Sequence, residues 1–325
     1  MKKVILAHRY DQEAVERLRR EFQLVLADDE DGGLAACLQR HPDAAGLVSF
    51  LSDPIDRAMI SGMKKLQVIA NFAVGYNNID VGCALERRIW VTHTPNALTQ
   101  ATADLAMALI LAASRRLVEG DALVRAGAFN GWQADLLLGK ELNGAVLGIV
   151  GMGRIGLATA LRARACGMRV VFFSRGPKPQ IEKKYGFARV TFLELIRSAD
   201  VVSLHLPFSP GVQHLFNRDV FALMKRDAVF INTARGPLMD EQALADALEN
   251  NELFAAGLDV YEHEPAVNEK LKALKNVVLL PHLGSATGAT RRQMALMTVQ
   301  AVRQALAGRM PMHLIPEWKE RLKKK

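Results

Sequence analysis

The chain lacks the features that mark a secreted or membrane protein. Its three cysteines, Cys37, Cys83 and Cys166, are odd in number and widely spaced, which excludes a disulfide framework and a zinc-knuckle pattern. Long hydrophobic runs are missing. The longest near-unbroken apolar stretch, residues 105–113, falls far short of the ~20 residues that a membrane helix needs. At the N-terminus Lys2 and Lys3 are followed by only four apolar residues before His8 and Arg9, too few for the core of a signal peptide. No membrane association and a cytoplasmic location are therefore expected. The net charge is +8 and the pI 9.5, yet no stripe of arginines interleaved with aromatics accompanies it, so nucleic acid is not the expected partner. Part of the excess sits in Lys319, Arg321, Lys323, Lys324 and Lys325, read as a solvated tail. An anionic small molecule or a phosphate-rich cofactor explains a basic balance equally well.

What the chain does have is an ordinary globular composition, 50% hydrophobic and 23% charged over 325 residues, enough for about two domains. Short apolar runs predict strands at residues 4–7, 45–50, 67–71, 89–92, 145–150, 169–173, 201–204, 228–232, 257–260 and 277–280. Several are apolar throughout, as strands covered on both faces are. Helical stretches lie between most of them, for example residues 12–22, 157–166 and 241–250. The alternation predicts an α/β protein with doubly wound parallel sheets. A segment apolar nearly all round, residues 99–116, reads as a buried helix connecting two lobes. A last helix over residues 287–306, stopped at Gly308, adds no strand and is expected to return to the first lobe.

Residues 148–156 read Gly-Ile-Val-Gly-Met-Gly-Arg-Ile-Gly, a strand running into a G-x-G-x-x-G turn and then a helix. Strand, turn and helix together are the context that lifts this pattern above chance. Gly151 permits the tight turn, and Gly153 lets backbone approach a pyrophosphate on the helix N-terminus. Gly156 lets the helix pack on the strand, and Met152, Arg154 and Ile155 complete the turn. A dinucleotide is the expected ligand.

In a parallel sheet the carboxyl ends of all strands share one edge, where ligands bind. Three later strands deliver polar residues there. One is followed by Thr233-Ala234-Arg235-Gly236, the next, with Asp259 near its end, by Tyr261-Glu262-His263-Glu264-Pro265, and the third by Pro281-His282-Leu283-Gly284-Ser285. An arginine, a carboxylate and a histidine thus reach one rim beside the glycine turn. His205 also follows a strand, but Leu206-Pro207 suggests a cofactor wall. His8, His41, His93, His214, His263 and His313 read as structural or surface residues.

These motifs, with Asn71-Phe72-Ala73-Val74-Gly75-Tyr76-Asn77-Asn78-Ile79-Asp80 and Thr102-Ala103-Asp104-Leu105, closely resemble the D-isomer-specific 2-hydroxyacid dehydrogenases, in the glyoxylate/hydroxypyruvate reductase branch, over nearly the whole chain. The resemblance implies a discontinuous flavodoxin-like substrate domain, residues 1–98 plus 286–325, and a Rossmann cofactor domain, residues 99–285. It implies a homodimer and reduction of a small 2-oxoacid. Arg235 would grip carboxylate and carbonyl with its fork of donors. His282 would donate the proton, and Glu264 would hold its ring. Leu51 in the wall loop of residues 50–53, together with Val74 and Gly75, would complete the substrate pocket. Val74, Thr102, Leu206, Pro207, Thr233, Ala234, Arg235, His282 and Gly284 would meet the cofactor, and Asp259 would hold the nicotinamide carboxamide. No metal site is expected. A 2-ketogluconate reductase or phosphoglycerate dehydrogenase of the same family is an alternative, although the extra regulatory domain of many phosphoglycerate dehydrogenases is missing. A dinucleotide-sensing corepressor is a distant one, without the long Ser/Pro-rich flanks of that class.

The second strand of the dinucleotide fold ends Phe173-Ser174-Arg175-Gly176. An NAD-type site places an acid about 20 residues beyond the glycine turn; here Ser174 occupies that place and no carboxylate follows until Glu182. Ser174 and Arg175, assisted by Lys178, suit a 2′-phosphate, so NADP(H) is the expected cofactor, with NAD(H) possible. Residues 117–143, with Phe129, Trp132 and Leu136-Leu137-Leu138, show no regular period; they could pack on their own subunit, but the resemblance implies an arm that reaches over a partner subunit.

Overall fold

In the computed structural model, which describes residues 1–323, the apolar runs form two wholly parallel sheets. The chain divides into two compact units, Met1–Leu98 with the chain from Ala286 onward, and Thr99–Ser285.

The first unit holds β1 (Lys3–Leu6), β2 (Gln23–Leu26), β3 (Gly46–Ser49), β4 (Val68–Asn71) and β5 (Trp90–Thr92), in the order β2-β1-β3-β4-β5. This is the flavodoxin-like doubly wound order. Alternate residues face opposite sides of a strand, and here both sides are covered. Ile5, Leu47, Ile69 and Val91 pack with Cys37, Ile60, Cys83 and Trp318. Val4, Leu6, Val48 and Val68 pack with Leu18, Val299 and Val302. The last two come from the helix Gly288–Leu306, which therefore belongs to this core.

The second unit holds β6 (Val146–Val150), β7 (Arg169–Phe173), β8 (Ala188–Arg189), β9 (Val201–Leu204), β10 (Val229–Asn232), β11 (Ala255–Leu258) and β12 (Val277–Leu279). The order is β12-β11-β10-β9-β6-β7-β8, the dinucleotide-fold order 3-2-1-4-5-6 with a seventh strand added. One face packs Leu147, Ile149 and Ile231 on Met107, Ile110 and Ala160. The other packs Val202, Phe230 and Leu258 on Leu195, Phe221 and Leu244. Strand order reverses between β6 and β9, so a crevice opens at their carboxyl ends.

Several local expectations need correction. β2 and β8 were not anticipated. β2 is an edge strand with only Leu26 buried, and β8 is two exposed residues, so neither carries a core pattern. β11 runs two residues earlier than expected and leaves Asp259 just beyond its end. The helix Leu117–Arg125 occupies part of the segment read as aperiodic; none of its residues is buried. The basic end is not a free tail, since Lys319, Arg321 and Lys323 belong to the helix Pro316–Lys323. That helix docks through Trp318, whose indole N–H donates to the Ile89 carbonyl (2.8 Å), and through Arg321, which donates to the Leu85 carbonyl. Lys324 and Lys325 lie outside the described residues. Among the described residues no helix is long and apolar enough to cross a membrane.

Candidate active site

The glycine turn lies at the reversal of strand order. Gly151 sits at φ +106°, and a Cβ there would lie 2.6 Å from the His205 carbonyl oxygen on the neighbouring crossover. A Cβ on Gly156 would lie 2.3 Å from the Gly151 carbonyl. Both positions therefore exclude a side chain. Gly153 caps the helix Arg154–Ala165, and nothing stands within 4 Å of where its Cβ would be. The unpaired N–H groups of that helix start, with space in front of them, suit a pyrophosphate. Met152 is buried beneath the turn, Ile155 half-buried and Arg154 exposed. Thr233, at the end of β10, has a buried hydroxyl without a hydrogen-bond partner, as a site shaped for a polar ligand would leave. These features fit a dinucleotide.

At the end of β7, Ser174 makes a bond within its own turn. It is 6% exposed and donates its hydroxyl to the Gly176 carbonyl (2.7 Å), closing the turn. Arg175 and Lys178 are exposed at this edge. Arg189 of β8 joins them, donating to the Ser174 carbonyl from Nε (3.3 Å) and Nη2 (3.1 Å). Sequence reading missed Arg189 because a two-residue strand has no period to detect.

Arg235, Glu264 and His282 come together at the carboxyl ends of β10, β11 and β12. The turn carrying Arg235 is braced by Asn232, which accepts from the Ala234 N–H (3.0 Å) and donates to the Arg235 carbonyl (2.9 Å). Arg235 itself is half-buried, and its Nη1 donates to the Ala234 carbonyl. Burial pulls its pKa down, and the negative Glu264 acts the other way. Glu264 precedes a cis Pro265. One carboxylate oxygen accepts the Tyr261 N–H (3.0 Å) and the other lies 2.8 Å from His282 Nδ1. Burial alone would raise the Glu264 pKa. Bonding to His282, the charge of that ring, the Tyr261 N–H and Arg235 outweigh it and hold the carboxyl below its ordinary range.

His282 adopts φ +54°, a left-handed conformation that costs a side-chain-bearing residue about 1–3 kcal/mol. The surrounding bonds impose it. Asp259, 1% exposed, accepts the N–H groups of Leu283 (2.6 Å) and Gly284 (2.8 Å), and the Thr102 hydroxyl donates to the Gly284 carbonyl (2.8 Å). Asp259 and Thr102, expected as cofactor contacts, thus also act as the frame that aims His282. Burial raises the Asp259 pKa against the opposing pull of those N–H groups and of His282. His205, beside the glycine turn, bonds to the Ser203 hydroxyl (3.0 Å), and burial pushes its pKa down to about 4, so it stays neutral near pH 7. Leu206 is half-buried and Pro207 exposed.

Val74, Gly75 and Leu51 lie in the other unit, at the carboxyl edge of its sheet. Three successive carbonyls are held from behind. Ala73 accepts from the Thr94 N–H (2.9 Å), Val74 from His93 Nδ1 (2.9 Å) and Gly75 from Asn71 Nδ2 (2.8 Å). In a trans peptide the N–H points opposite to the preceding carbonyl. Pinning the Ala73 and Val74 carbonyls therefore turns the Val74 and Gly75 N–H groups to the other side, as an anchor for a carboxylate requires. Asn71 stood within a quoted motif, but the bracing by His93 had no signal in the sequence. Leu51 is half-buried in the loop of residues 50–53.

Comparison with known proteins adds three findings. The family model described as D-isomer specific 2-hydroxyacid dehydrogenase, NAD binding domain, matches residues 107–284. The chain is 40% identical to a glyoxylate reductase of Thermococcus litoralis, over 96% of each protein. Among solved structures, a protein of Thermus thermophilus superposes with a TM-score of 0.90 at 44% identity, covering 96% of this chain and 99% of that one. An NADPH-dependent glyoxylate/hydroxypyruvate reductase of Sinorhizobium meliloti, solved with NADP and malonate, superposes with a TM-score of 0.85 at 30% identity, covering 97% of each.

Proposed function

Because this chain belongs to the D-isomer specific 2-hydroxyacid dehydrogenases, NAD(P)-dependent oxidoreductases, we propose that it reduces glyoxylate or hydroxypyruvate to the D-2-hydroxyacid with NADPH. The observation that carries this reading is the His282–Glu264 pair beside Arg235 at the carboxyl edge of the dinucleotide fold. Glu264 holds Nδ1, so the proton for the carbonyl oxygen leaves from Nε2. Arg235 binds the substrate carboxylate and polarises the carbonyl, and in the other unit the Val74 and Gly75 N–H groups form a second carboxylate anchor. The glycine turn, Thr233, Ala234, Leu206 and Asp259 would hold the dinucleotide, whose nicotinamide supplies the hydride. The unit Thr99–Ser285 would be the cofactor domain and the other the substrate domain. The test is a spectrophotometric screen of a dozen 2-oxoacids with both reduced cofactors. Turnover on glyoxylate or hydroxypyruvate is expected; turnover only on other 2-oxoacids would overturn the substrate assignment.

The NADPH preference rests on the missing acid after β7 and on the cations Arg175, Lys178 and Arg189 at that edge. The Sinorhizobium relative is NADPH-dependent by name. We expect kcat/KM for NADPH to exceed that for NADH by about tenfold or more, the worth of one charge-assisted contact of about 1.4 kcal/mol. In Arg175→Asp the preference should collapse or reverse. A wild-type preference for NADH would refute it.

A homodimer joined through the unit Thr99–Ser285 completes the reading. In residues 117–143, Leu117, Val118, Val124, Phe129, Trp132 and Leu138 are all exposed, Trp132 at 86%. So many apolar side chains on one segment call for burial. Light scattering at micromolar protein is expected to give twice the 35.7 kDa chain mass, and a monomer mass would refute the dimer.

A further inference from the structure

We infer that His8 is a positioning residue for the 2-oxoacid: its ring bridges Asp28 and Asp53 and so holds the wall loop of residues 50–53, which carries Leu51. This deepens the proposed function and rests on the reading of Leu51 as part of the substrate pocket.

The sheet order dictates the juxtaposition. β1 lies between β2 and β3, so the chain leaving those three strands at their carboxyl ends brings His8, Asp28 and Asp53 side by side. His8 Nδ1 lies 2.8 Å from Asp28 Oδ1, and Nε2 lies 2.8 Å from Asp53 Oδ1. An ionised carboxylate only accepts, so both ring nitrogens must donate, and only the imidazolium has two N–H groups. Among the described residues, Asp28 and Asp53 are the charged groups facing the ring. Arg9, next along the chain, turns its guanidinium to Asp29 and gives its backbone N–H to Asp28. Burial favours the neutral ring, but bonding to the two carboxylates and their charges outweigh it and raise the His8 pKa above 6.5.

Asp53 is the link to the loop. It is 5% exposed, its second oxygen accepts the Phe50 N–H (2.7 Å), and its own N–H donates to the Phe50 carbonyl (3.1 Å). Asn78, just beyond the Val74-Gly75 anchor, donates to the carbonyls of both Phe50 and Asp53 (2.9 Å each). The Phe50 ring also packs edge-on to His8, with centroids 5.3 Å apart. The loop is thus tied to the anchor segment on one side and to β1 on the other, and the β1 side depends on His8. Without the imidazolium a buried carboxylate loses its counter-charge, and the loop must move to solvate it. Because the pKa is raised, the clamp is complete below the ordinary histidine range and is lost as pH rises through the raised value. KM for the 2-oxoacid should climb there, whereas proton transfer from His282 would appear in kcat.

The test is steady-state kinetics on glyoxylate and hydroxypyruvate with saturating cofactor, across pH, for wild type, His8→Ala and His8→Gln. Imidazole nitrogen NMR runs alongside, with His8 assigned through the Gln variant. We expect His8→Ala to raise KM for the 2-oxoacid about tenfold, the effect of one buried partner left unpaired, with kcat within about twofold and cofactor KM unchanged. The Gln amide offers Asp53 a donor but no positive charge, so it should hold KM at every pH near the raised value that wild type reaches above the climb. NMR should show both His8 nitrogens protonated near neutral pH. An unchanged KM in His8→Ala, equal losses in kcat and KM, or a neutral ring at neutral pH would each overturn the inference. If His8→Ala does not fold, the Gln variant decides through the pH climb alone. Wild-type enzyme that turns over no 2-oxoacid with either cofactor would remove the substrate reading, and the inference with it; that failure is distinguished by being present before any substitution.

Discussion

His282→Ala is expected to lower kcat for 2-oxoacid reduction by about 10²–10⁴, the usual worth of a general acid, while NADPH affinity measured by fluorescence titration barely changes. The asymmetry follows from the geometry. The His282 ring is held at Nδ1 by Glu264, which leaves Nε2 as the nitrogen for the proposed proton transfer. The peptides that follow His282 stay in place without the ring, because Asp259 holds the Leu283 and Gly284 N–H groups and Thr102 holds the Gly284 carbonyl. Near-normal turnover in His282→Ala would sink the assignment of the acid. The partner is tested in the same series. Glu264 is held ionised below its ordinary range, so its negative charge stays beside His282 Nδ1 throughout neutral pH and is withdrawn only as pH falls through that lowered value. Glu264→Gln removes the charge at every pH. Since reduction needs the protonated ring, the alkaline limb of kcat/KM should move to lower pH in that variant, and an unmoved limb would count against the pairing.

Arg235→Ala should be nearly as damaging but with a different signature. Truncating one partner of a desolvated charge pair costs about 2–5 kcal/mol, or roughly 30-fold to several-thousand-fold in kcat/KM. KM should rise strongly as well as kcat fall, since the role proposed for the guanidinium is to bind the carboxylate in the ground state and polarise the carbonyl in the transition state. Arg235→Lys should recover little, because a point charge on a flexible stem cannot span two oxygens of a planar acid. The side chain's bond to Ala234 lies within its own turn, and Asn232 braces that turn independently. A large loss of melting temperature would assign Arg235 to the fold instead, and an unchanged KM would remove it from substrate binding.

Both variants concern residues legible in the sequence, and the reason is local. Gly151 and Gly156 are fixed by contacts within one strand-turn-helix unit, and such units leave a short, spaced signature. The buried strands β3, β4, β6, β9 and β10 are apolar because helices cover both faces, and four or five apolar residues between turns can be read without a structure. Arg235, Glu264 and His282 could be placed on one rim for the same reason, since a parallel sheet sends all its carboxyl ends to one edge.

Other features belong to the tertiary structure alone. β2 and β8 are exposed edges, where pairing with a neighbour substitutes for a hydrophobic pattern. Ser174 looked like a ligand donor, yet whether a hydroxyl faces outward or closes its own turn depends on one rotamer, which composition does not encode. Asp259 looked like a cofactor contact, and only the fold shows that both its oxygens hold the loop of His282. His8 read as a structural or surface residue without a named partner, because nothing local along the chain marks Asp53; the lateral order β2-β1-β3 brings them together. The sequence by itself determined which chemistry the chain carries and on which strand ends, because residue type and strand period are local properties. The aim of each side chain was decided by bonds between segments distant in sequence, and those exist only once the sheets have formed.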